Sequence, residues 1–327
     1  MSAEKATRIT QYWHAIATSE EITEQPQRLT LLGRHLAVFR DEQGVIALND
    51  VCIHRGAALS RGWIEDGRLT CPFHGWQYDR EGVCKHIPAL PRDAPIPRAA
   101  RIPSYHTAER YGLVFVSLED PIAPIPSYPC GEDANPEYQR FFVAKLVWNT
   151  SAGRAVENSV DVSHFPYVHA HILGDPEHPE VPHFEVHDYA EGVWYRTPRE
   201  GYVPEGQKRP DGYTEYRHAF PFSMFLTNAE EDGRISCLGV FYSPTGAKTT
   251  TAFRVVYRNY QPAMDREDEI DRILQVLDQD RDVLESVRPE EIPVSLREEL
   301  HIKAPDAASI AFRRWIEDVD MLDLAPV

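Results

Sequence analysis

Cysteine is scarce in this 327-residue chain, and long apolar runs are missing. Five cysteines are too few for a disulfide framework, so each is interpreted as a free thiol or a metal ligand. No apolar run approaches the roughly 18 residues that span a bilayer, and the N-terminus lacks the apolar core of a secretion signal. The sequence therefore predicts a cytosolic (cytoplasmic) protein with no membrane partner.

Positive charge and nucleotide-binding signatures are also in short supply. The 34 Lys and Arg side chains are outnumbered by 51 Asp and Glu, which gives a formal charge of −17. A field of that sign repels phosphates, so nucleic acid is excluded as a partner. No GxGxxG sequence follows a predicted strand and no flavin motif occurs, so the sequence shows no nicotinamide or flavin site of its own.

A proline-rich segment divides the chain into two predicted domains. Residues 121–136 hold five prolines, which is typical of a linker rather than of the interior of a helix or strand. We place the boundary after residue 126, which gives domains 1–126 and 127–327. Each is long enough to bury its own core.

The two domains differ in their patterns. Short strands and turns fill the first, with a hairpin signal at residues 41–44, so we predict an all-β domain. The second mixes helix and strand periods and is predicted to be α+β, an antiparallel sheet with helices on one face. Its predicted elements are a helix-like stretch at 153–173, strand-like runs at 192–198, 214–228, 234–244 and 249–260, and helices at 267–287 and 309–319.

Two cysteines and two histidines form a ligand pattern in the first domain. Cys52 and His54 make CxH, and sixteen residues later Cys71 and His74 make CxxH. Two Cys and two His can hold zinc in a tetrahedral site. They can equally hold a Rieske [2Fe–2S] cluster, in which two thiolates bind one iron and two imidazoles bind the other.

The residues around these four ligands favour iron. A glycine follows shortly after each histidine, and the run CPFHGWQYD at 71–79 is similar to a Rieske domain. By that resemblance Cys52 and Cys71 ligate one iron, and His54 and His74 ligate the other. Tyr78 lies where Rieske domains often place a hydrogen-bond donor, although a packed strand residue is an equal interpretation.

A second set of candidate ligands lies at 157–169. Asp161 and His164 are three residues apart and share a face if the segment is helical, whereas His164 and His169 point apart on a straight helix. Pro166 lies between the two histidines. A kink there can bring both imidazoles toward one point, which predicts a metal site.

The helix at 267–287 offers a third ligand. Asp280 falls within its apolar stripe, whereas the carboxylates at 271, 278 and 282 lie off that face. A carboxylate on a buried face is costly unless it is paired or binds a metal. With two histidines it forms a 2-His-1-carboxylate triad, which leaves positions open for O₂ on non-heme iron.

The two sets together resemble the Rieske non-heme iron oxygenases over nearly the whole chain. DVSHFPYVH…ILGD is similar to the family's mononuclear-iron motif, QDRDVLES to its third-ligand helix, and AFRRW at 311–315 to a subgroup of alkaloid hydroxylases and aromatic O-demethylases. The resemblance implies a terminal oxygenase (alpha) subunit of the short homotrimeric type, with a helix-grip, START-like second domain.

The family resemblance also assigns roles to residues. It implies that His164, His169 and Asp280 bind the mononuclear Fe(II). By the same resemblance, Asp161 would carry electron flow from the Rieske histidine of a neighbouring chain, and Asn158 is placed with it among the expected catalytic residues.

The expected activity is oxygen insertion. Electrons would come from a ferredoxin and/or flavin reductase, which we expect to dock near Arg55 and Arg61, although ordinary mixed surface charge is an equal interpretation there. The expected reaction is monooxygenation or O-/N-demethylation of a small aromatic or heterocyclic compound. Alternatives are a cis-dihydroxylating dioxygenase, a Rieske electron carrier without the second iron, and a structural zinc protein with a lipid-binding domain.

Alternate side chains of the 214–228 run, from His218 to Asn228, are candidates for the substrate pocket.

Overall fold

A computed structural model of the chain describes residues 7–129, 131–198, 211–261, 266–317 and 319–320. The chain divides into two compact units. One is Ile9–Ile125, and the other comprises the described residues from Pro126 onward together with Thr7–Arg8. Among the described residues, none of the helices combines the length and apolar character that a bilayer crossing requires. Cys130, which is not part of the predicted Cys and His ligand pattern, lies outside the described residues.

The first unit is built from antiparallel strands in two sheets. One sheet has the order β2-β11-β10-β5-β4-β3 and the other β6-β7-β8-β9. The strands, numbered after β1 (Thr7–Arg8), are β2 (His14–Thr18), β3 (Gln27–Leu31), β4 (Arg34–Asp41), β5 (Gly44–Asn49), β6 (Trp63–Glu65), β7 (Arg68–Thr70), β8 (Gln77–Tyr78), β9 (Cys84–His86), β10 (Ser104–Arg110) and β11 (Leu113–Ser117).

The predicted hairpin at 41–44 joins β4 to β5, with Asp41 paired opposite Gly44. The carboxylate of Asp41 accepts a hydrogen bond from the backbone N–H of Gln43 at 2.8 Å, and Gly44 has a φ of 121°. An aspartate that closes the turn and a glycine that tolerates positive φ explain why the chain reverses here.

The described residues of the second unit form an antiparallel sheet of seven strands, in the order β12-β18-β17-β16-β15-β14-β13. A short parallel pair joins β1 to the end of the chain, although the sequence-based boundary assigned Thr7–Arg8 to the first domain. The strands are β12 (Gln139–Trp148), β13 (His187–Tyr189), β14 (Gly192–Pro198), β15 (Gly212–Ala219), β16 (Ser223–Glu230), β17 (Ile235–Gly246), β18 (Thr249–Arg258) and β19 (Val319–Asp320). The helices are α1 (Ala152–Val160), α2 (Phe165–Val168), α3 (Arg266–Leu284) and α4 (Ala307–Glu317).

The run at 214–228 was predicted as one strand, and this was wrong. It folds as the hairpin β15–β16, in which Thr214 pairs with Asn228 and His218 with Met224. Pro221 lies in the turn between the two strands. A proline lacks the N–H that a central strand must donate, so the chain reverses at this residue.

The helix-like stretch at 153–173 was also predicted as one element, but it is two helices. α1 ends at Val160, and Asp161 takes an extended conformation with φ −93° and ψ 131°. Pro166 lies in the first turn of α2, where its missing N–H costs nothing. The break therefore lies before His164 rather than at the proline, and the two histidines lie at opposite ends of the four-residue α2.

A buried network of charges fixes α1 against α4. Arg313 of α4 donates from Nε to Glu157 of α1 at 2.7 Å and pairs with Glu299. Arg154 of α1 donates to the same Glu299 at 2.6 Å. Arg313 is the first arginine of the AFRRW run, so this motif helps to position the helix that carries Asn158.

Candidate metal centres

The two predicted ligand loops of the first unit share one backbone pattern. In the first loop, the N–H of Gly56 donates to the carbonyl of Cys52 at 2.9 Å. In the second, the N–H of Gly75 donates to the carbonyl of Cys71 at 3.0 Å. Both glycines have positive φ, 71° and 68°. Each CxH or CxxH segment is thus a tight turn closed by a glycine, and a residue with a side chain would be strained at that position.

The thiols of this cluster lie inside the unit and the imidazoles lie nearer its surface. Cys52 and Cys71 are 2% and 1% exposed and belong to the hydrophobic core. The ring centroids of His54 and His74 are 4.5 Å apart. Nδ1 of His54 is buried and has no hydrogen-bond partner among the described residues. A buried imidazole nitrogen without a partner fits a nitrogen that binds metal, so these residues fit a Rieske cluster.

Tyr78 contacts this cluster directly. Its hydroxyl lies 3.0 Å from Sγ of Cys52, and its side chain is fully buried. Burial raises the pKa of Tyr78, so the phenol keeps its proton and can donate it to the sulfur. Burial likewise raises the pKa of the Cys71 thiol. Buried thiols of raised pKa become thiolates readily only when a metal binds them.

In the second unit, His164, His169 and Asp280 come together. One ligand atom of each lies within 4.8 Å of the other two. Oδ1 of Asp280 lies 3.0 Å from Nε2 of His169 and 3.4 Å from Nε2 of His164. Asp280 is 7% exposed, and its position on α3 between Leu277 and Leu284 agrees with the predicted apolar stripe.

Each ligand of this second cluster is oriented by another side chain. Nδ1 of His164 lies 3.0 Å from Oδ2 of Asp161, and Nδ1 of His169 lies 2.9 Å from Oε1 of Gln279. Because both oxygens only accept, both Nδ1 atoms carry a proton, and both Nε2 atoms are directed at Asp280. Two Nε2 atoms and a carboxylate converge on one point, where a bound cation would take the place of a proton.

Electrostatics support a positive charge at this point. Burial lowers the pKa of His164, but hydrogen bonds to Asp161 and Asp280 outweigh burial and raise it to about 9. Burial likewise opposes ionisation of Asp280, yet hydrogen bonds with His164 and His169 hold its pKa well below the usual value. An anionic carboxylate and two imidazoles are the ligands that Fe(II) prefers in an open site, so these residues fit the mononuclear iron.

The structure also places the two remaining predicted site residues. Nδ2 of Asn158 donates to Oδ1 of Asp280 at 3.1 Å. Asp161 lies beside His164, and its carboxylate also accepts from the backbone N–H of Ser163 at 2.8 Å. Gln279 was missed by sequence reasoning. Its position directly before Asp280 is visible in the sequence, but it does not distinguish Gln279 from other half-exposed polar residues of the helix.

The second cluster opens on a mostly apolar cavity of about 450 Å³. Its walls come from α1, α2, α3 and the strands β15 to β18. Met224, Leu226 and Asn228 line it, as predicted from sequence. The other predicted pocket residues do not line it; His218 and Phe220 pack against Phe312 and Trp315 of α4. The hairpin turn at Pro221 is the reason, because it ends the alternation on which that prediction rested.

Two family models match the chain. The model of the Rieske [2Fe-2S] domain matches residues 12–106. The model of the vanillate O-demethylase oxygenase C-terminal domain matches residues 148–319, which is more than half of the chain. The chain belongs to the Rieske non-heme iron oxygenases.

Individual relatives within this family agree with the assignment. The chain is 31% identical to methylxanthine N1-demethylase NdmA of Pseudomonas putida, over 94% of this chain and 88% of the relative. It is 32% identical to methylxanthine N3-demethylase NdmB of the same organism, over 97% and 91%. The solved structure of NdmA with caffeine matches with a TM-score of 0.83 at 29% identity, covering 94% of this chain and 90% of that one.

Membership of the Rieske non-heme iron oxygenases decides between the sequence-based alternatives. The cofactors of the family are a [2Fe–2S] cluster and a mononuclear iron, so those two predictions are confirmed. A zinc protein and an electron carrier without a second iron are both excluded. The predicted fold class, an all-β first domain and a helix-grip second domain, is confirmed as well. Oxygenases of this family use O₂ and a separate electron donor.

Proposed function

We propose that this chain is the terminal oxygenase of an N- or O-demethylase for a small aromatic or heterocyclic compound. One observation carries the proposal: His164, His169 and Asp280 face an apolar cavity of about 450 Å³, which is the size of a pocket for a drug-sized planar ligand. The similarity to two methylxanthine demethylases over nearly the whole chain supports demethylation rather than dihydroxylation.

The ligand sets follow from the geometry of each unit. Cys52, His54, Cys71 and His74 would hold the [2Fe–2S] cluster, and His164, His169 and Asp280 the mononuclear iron. When bound, the cluster stores an electron and the mononuclear iron activates O₂. In the balanced reaction, N–CH₃ or O–CH₃ combines with O₂, two electrons and two protons to give a hydroxymethyl product and water. The hydroxymethyl product then loses formaldehyde.

The chain's own residues orient the site. Gln279 fixes the His169 ring and Asp161 fixes the His164 ring, each through Nδ1. Asn158 donates to Oδ1 of Asp280, which leaves fewer free lone pairs on that carboxylate and restricts its rotation. Apolar side chains around the cavity, such as Met224 and Val240, exclude water from the substrate methyl group.

Electrons would come from a ferredoxin and/or flavin reductase that docks near the exposed Arg55 and Arg61. We further propose a homotrimer in which Asp161 of one chain would bridge its own His164 and the cluster ligand His74 of a neighbouring chain, so that it would connect the two metal sites for electron transfer. The carboxylate of Asp161 is about one quarter exposed, so it is accessible to a neighbouring chain while it holds His164. The cytoplasmic location expected from sequence stays a prediction.

The test is formaldehyde release coupled to NADH consumption, with a surrogate reductase, across methoxy-aromatic, N-methyl-heterocyclic and plain aromatic compounds. The proposal expects formaldehyde in proportion to NADH for at least one methyl compound. Asp280→Ala should abolish it, whereas Asp278→Ala, an exposed carboxylate on the same helix, should not. A cis-diol from a plain arene, with no formaldehyde from any methyl compound, would instead favour the dioxygenase alternative.

A further inference from the structure

Arg254 is a buried cation on the wall of the cavity. It lies on β18, is 1% exposed, and lines the cavity together with Val256 two residues later. Across the sheet it pairs with Val240, which in turn pairs with Met224, and both of these also line the cavity. The guanidinium therefore adjoins a patch of apolar side chains on the cavity wall, formed by Val256, Val240 and Met224.

The other buried arginines of the second unit have carboxylate partners. Arg154 and Arg313 pair with Glu299, and Arg258 pairs with Glu269. Arg254 forms no ion pair within the described part of the chain, and its Nε and Nη1 have no hydrogen-bond partner there. Its guanidinium lies over the Trp148 ring, whose centroid is 4.9 Å from Cζ, and it is hydrogen-bonded to Tyr242. A buried guanidinium with two nitrogens that lack an acceptor is costly unless a ligand completes it.

The net charge of the cavity also favours a ligand beside Arg254. Burial lowers the pKa of Arg254, but Tyr242 and Asp280 oppose that shift, and an arginine keeps its proton even in proteins. Asp280 is committed to the iron under the proposed function. Glu269 and Arg272 also line the cavity, and their opposite charges cancel. Two positive charges of Fe(II), one negative charge of Asp280 and one positive charge of Arg254 then leave a formal +2. A substrate that carries a negative charge offsets this excess.

We propose that Arg254 anchors a carboxylate of the substrate, so that the cavity selects an aromatic or heteroaromatic carboxylate over a neutral ring. This inference rests on the proposed function, because it assigns the substrate class of the same site. The ring of the ligand would lie against Val240, which is beside Arg254 on the sheet, and Met224, one strand further on, while Trp148 holds the guanidinium in place.

Calorimetric binding to the purified holoprotein tests this without turnover. The probes are 4-methoxybenzoate, 3-methoxybenzoate and N-methylpyrrole-2-carboxylate, each measured against its own carboxamide. At least one carboxylate should bind about tenfold or more tightly than its carboxamide. Arg254→Gln should remove that preference, and Arg254→Lys should keep part of it. Arg234→Gln, which removes an exposed cation from the turn between β16 and β17, should leave the preference unchanged.

The outcomes separate this inference from the proposed function. The role of Arg254 is overturned if carboxylates and carboxamides bind equally or if neither binds. It is also overturned if the preference survives in a folded Arg254→Gln protein. Circular dichroism and metal content establish that the variant is folded. Carboxylate preference without formaldehyde release from any methyl compound would retain Arg254 as an anchor and remove demethylation. Formaldehyde release from neutral rings alone would retain demethylation and remove Arg254 as a carboxylate anchor.

Discussion

His169 and Asp280 meet at a distance of 3.0 Å between Nε2 and Oδ1, and the residue before Asp280 holds the other nitrogen of the same ring. Consecutive residues of α3 thus contact both nitrogens of His169. One is the proposed metal ligand and the other fixes the direction in which the imidazole presents its lone pair. The metal site and its support are therefore encoded at adjacent positions of one helix.

Gln279→Leu should weaken iron binding. Without an acceptor for Nδ1, the His169 ring loses its fixed orientation, and loss of such a partner typically costs about 10- to 100-fold in metal affinity. Titration of the iron-depleted protein with Co(II), followed by its visible absorption, measures the change. Gln279→Glu retains an acceptor and should restore most of the affinity. Gln275→Leu, an exposed position on the same helix, is the control, and an equal loss there would contradict the assignment.

Asp161→Asn should retain both metals and stop electron transfer between them. The amide keeps the size of the carboxylate but removes the negative charge that faces His164. Single-turnover oxidation of the prereduced cluster, followed by its visible absorption in the presence of substrate and O₂, should slow by about 100-fold or more, the usual scale for a lost proton- or charge-carrying group. Cluster oxidation at the wild-type rate would remove Asp161 from the transfer route.

Tyr78→Phe should lower the reduction potential of the cluster. The phenol donates to Cys52, and a hydrogen bond to a sulfur ligand favours the reduced, more negative cluster. A bond worth about 0.5–1.5 kcal/mol corresponds to about 20–65 mV for one electron. Protein-film voltammetry measures the shift. Tyr105→Phe on β10 is the control, and an unchanged potential in Tyr78→Phe would mean that Tyr78 only packs.

Buried His218 should make the second unit sensitive to acid. Burial lowers the pKa of His218 to about 4, against the backbone hydrogen bond to Pro221 that raises it. The unfolded chain protonates His218 near pH 6.5, whereas the folded chain does not protonate it until the pH is near 4. The contribution of His218 to the free energy of unfolding is therefore fully present above pH 6.5 and is lost as the pH drops toward 4.

His218→Gln removes this titration, so the variant should lose less stability than the wild type between pH 6.5 and pH 4. Denaturant unfolding at several pH values measures the difference, which is about 3 kcal/mol for a shift of this size. His187→Gln at an exposed position should follow the wild-type curve. Parallel pH profiles of wild type and His218→Gln would contradict the burial argument.

Local chemistry explains which parts of the site were predictable from sequence. The spacing of Cys52 to His54 and Cys71 to His74 is set within single loops, so their proximity needs no tertiary information. Asp280 was predictable because a carboxylate on an apolar helical stripe is conspicuous. Gln279 was not, because a glutamine beside that stripe looks like any half-exposed polar residue until the ring of His169 is in place.

The errors share a cause. Hydrophobic periodicity alone does not show where a chain reverses, so the hairpin at Pro221 and the break at Asp161 were both read as continuous elements. Hydrophobic periodicity also does not show which distant segments pair, such as β1 with β19 or β12 with β18 at the edge of the sheet. Such contacts depend on packing across hundreds of residues rather than on local pattern.

Metal and acid-labile sulfide analysis of wild type and Asp280→Ala tests the central claim, that two separate iron centres share this chain. The wild type should contain about three irons and two sulfides per chain. Asp280→Ala should contain about two of each, with an unchanged Rieske signal in electron paramagnetic resonance, and Asp278→Ala should match the wild type. An unchanged iron content in Asp280→Ala, or zinc in place of iron in the wild type, would contradict the account.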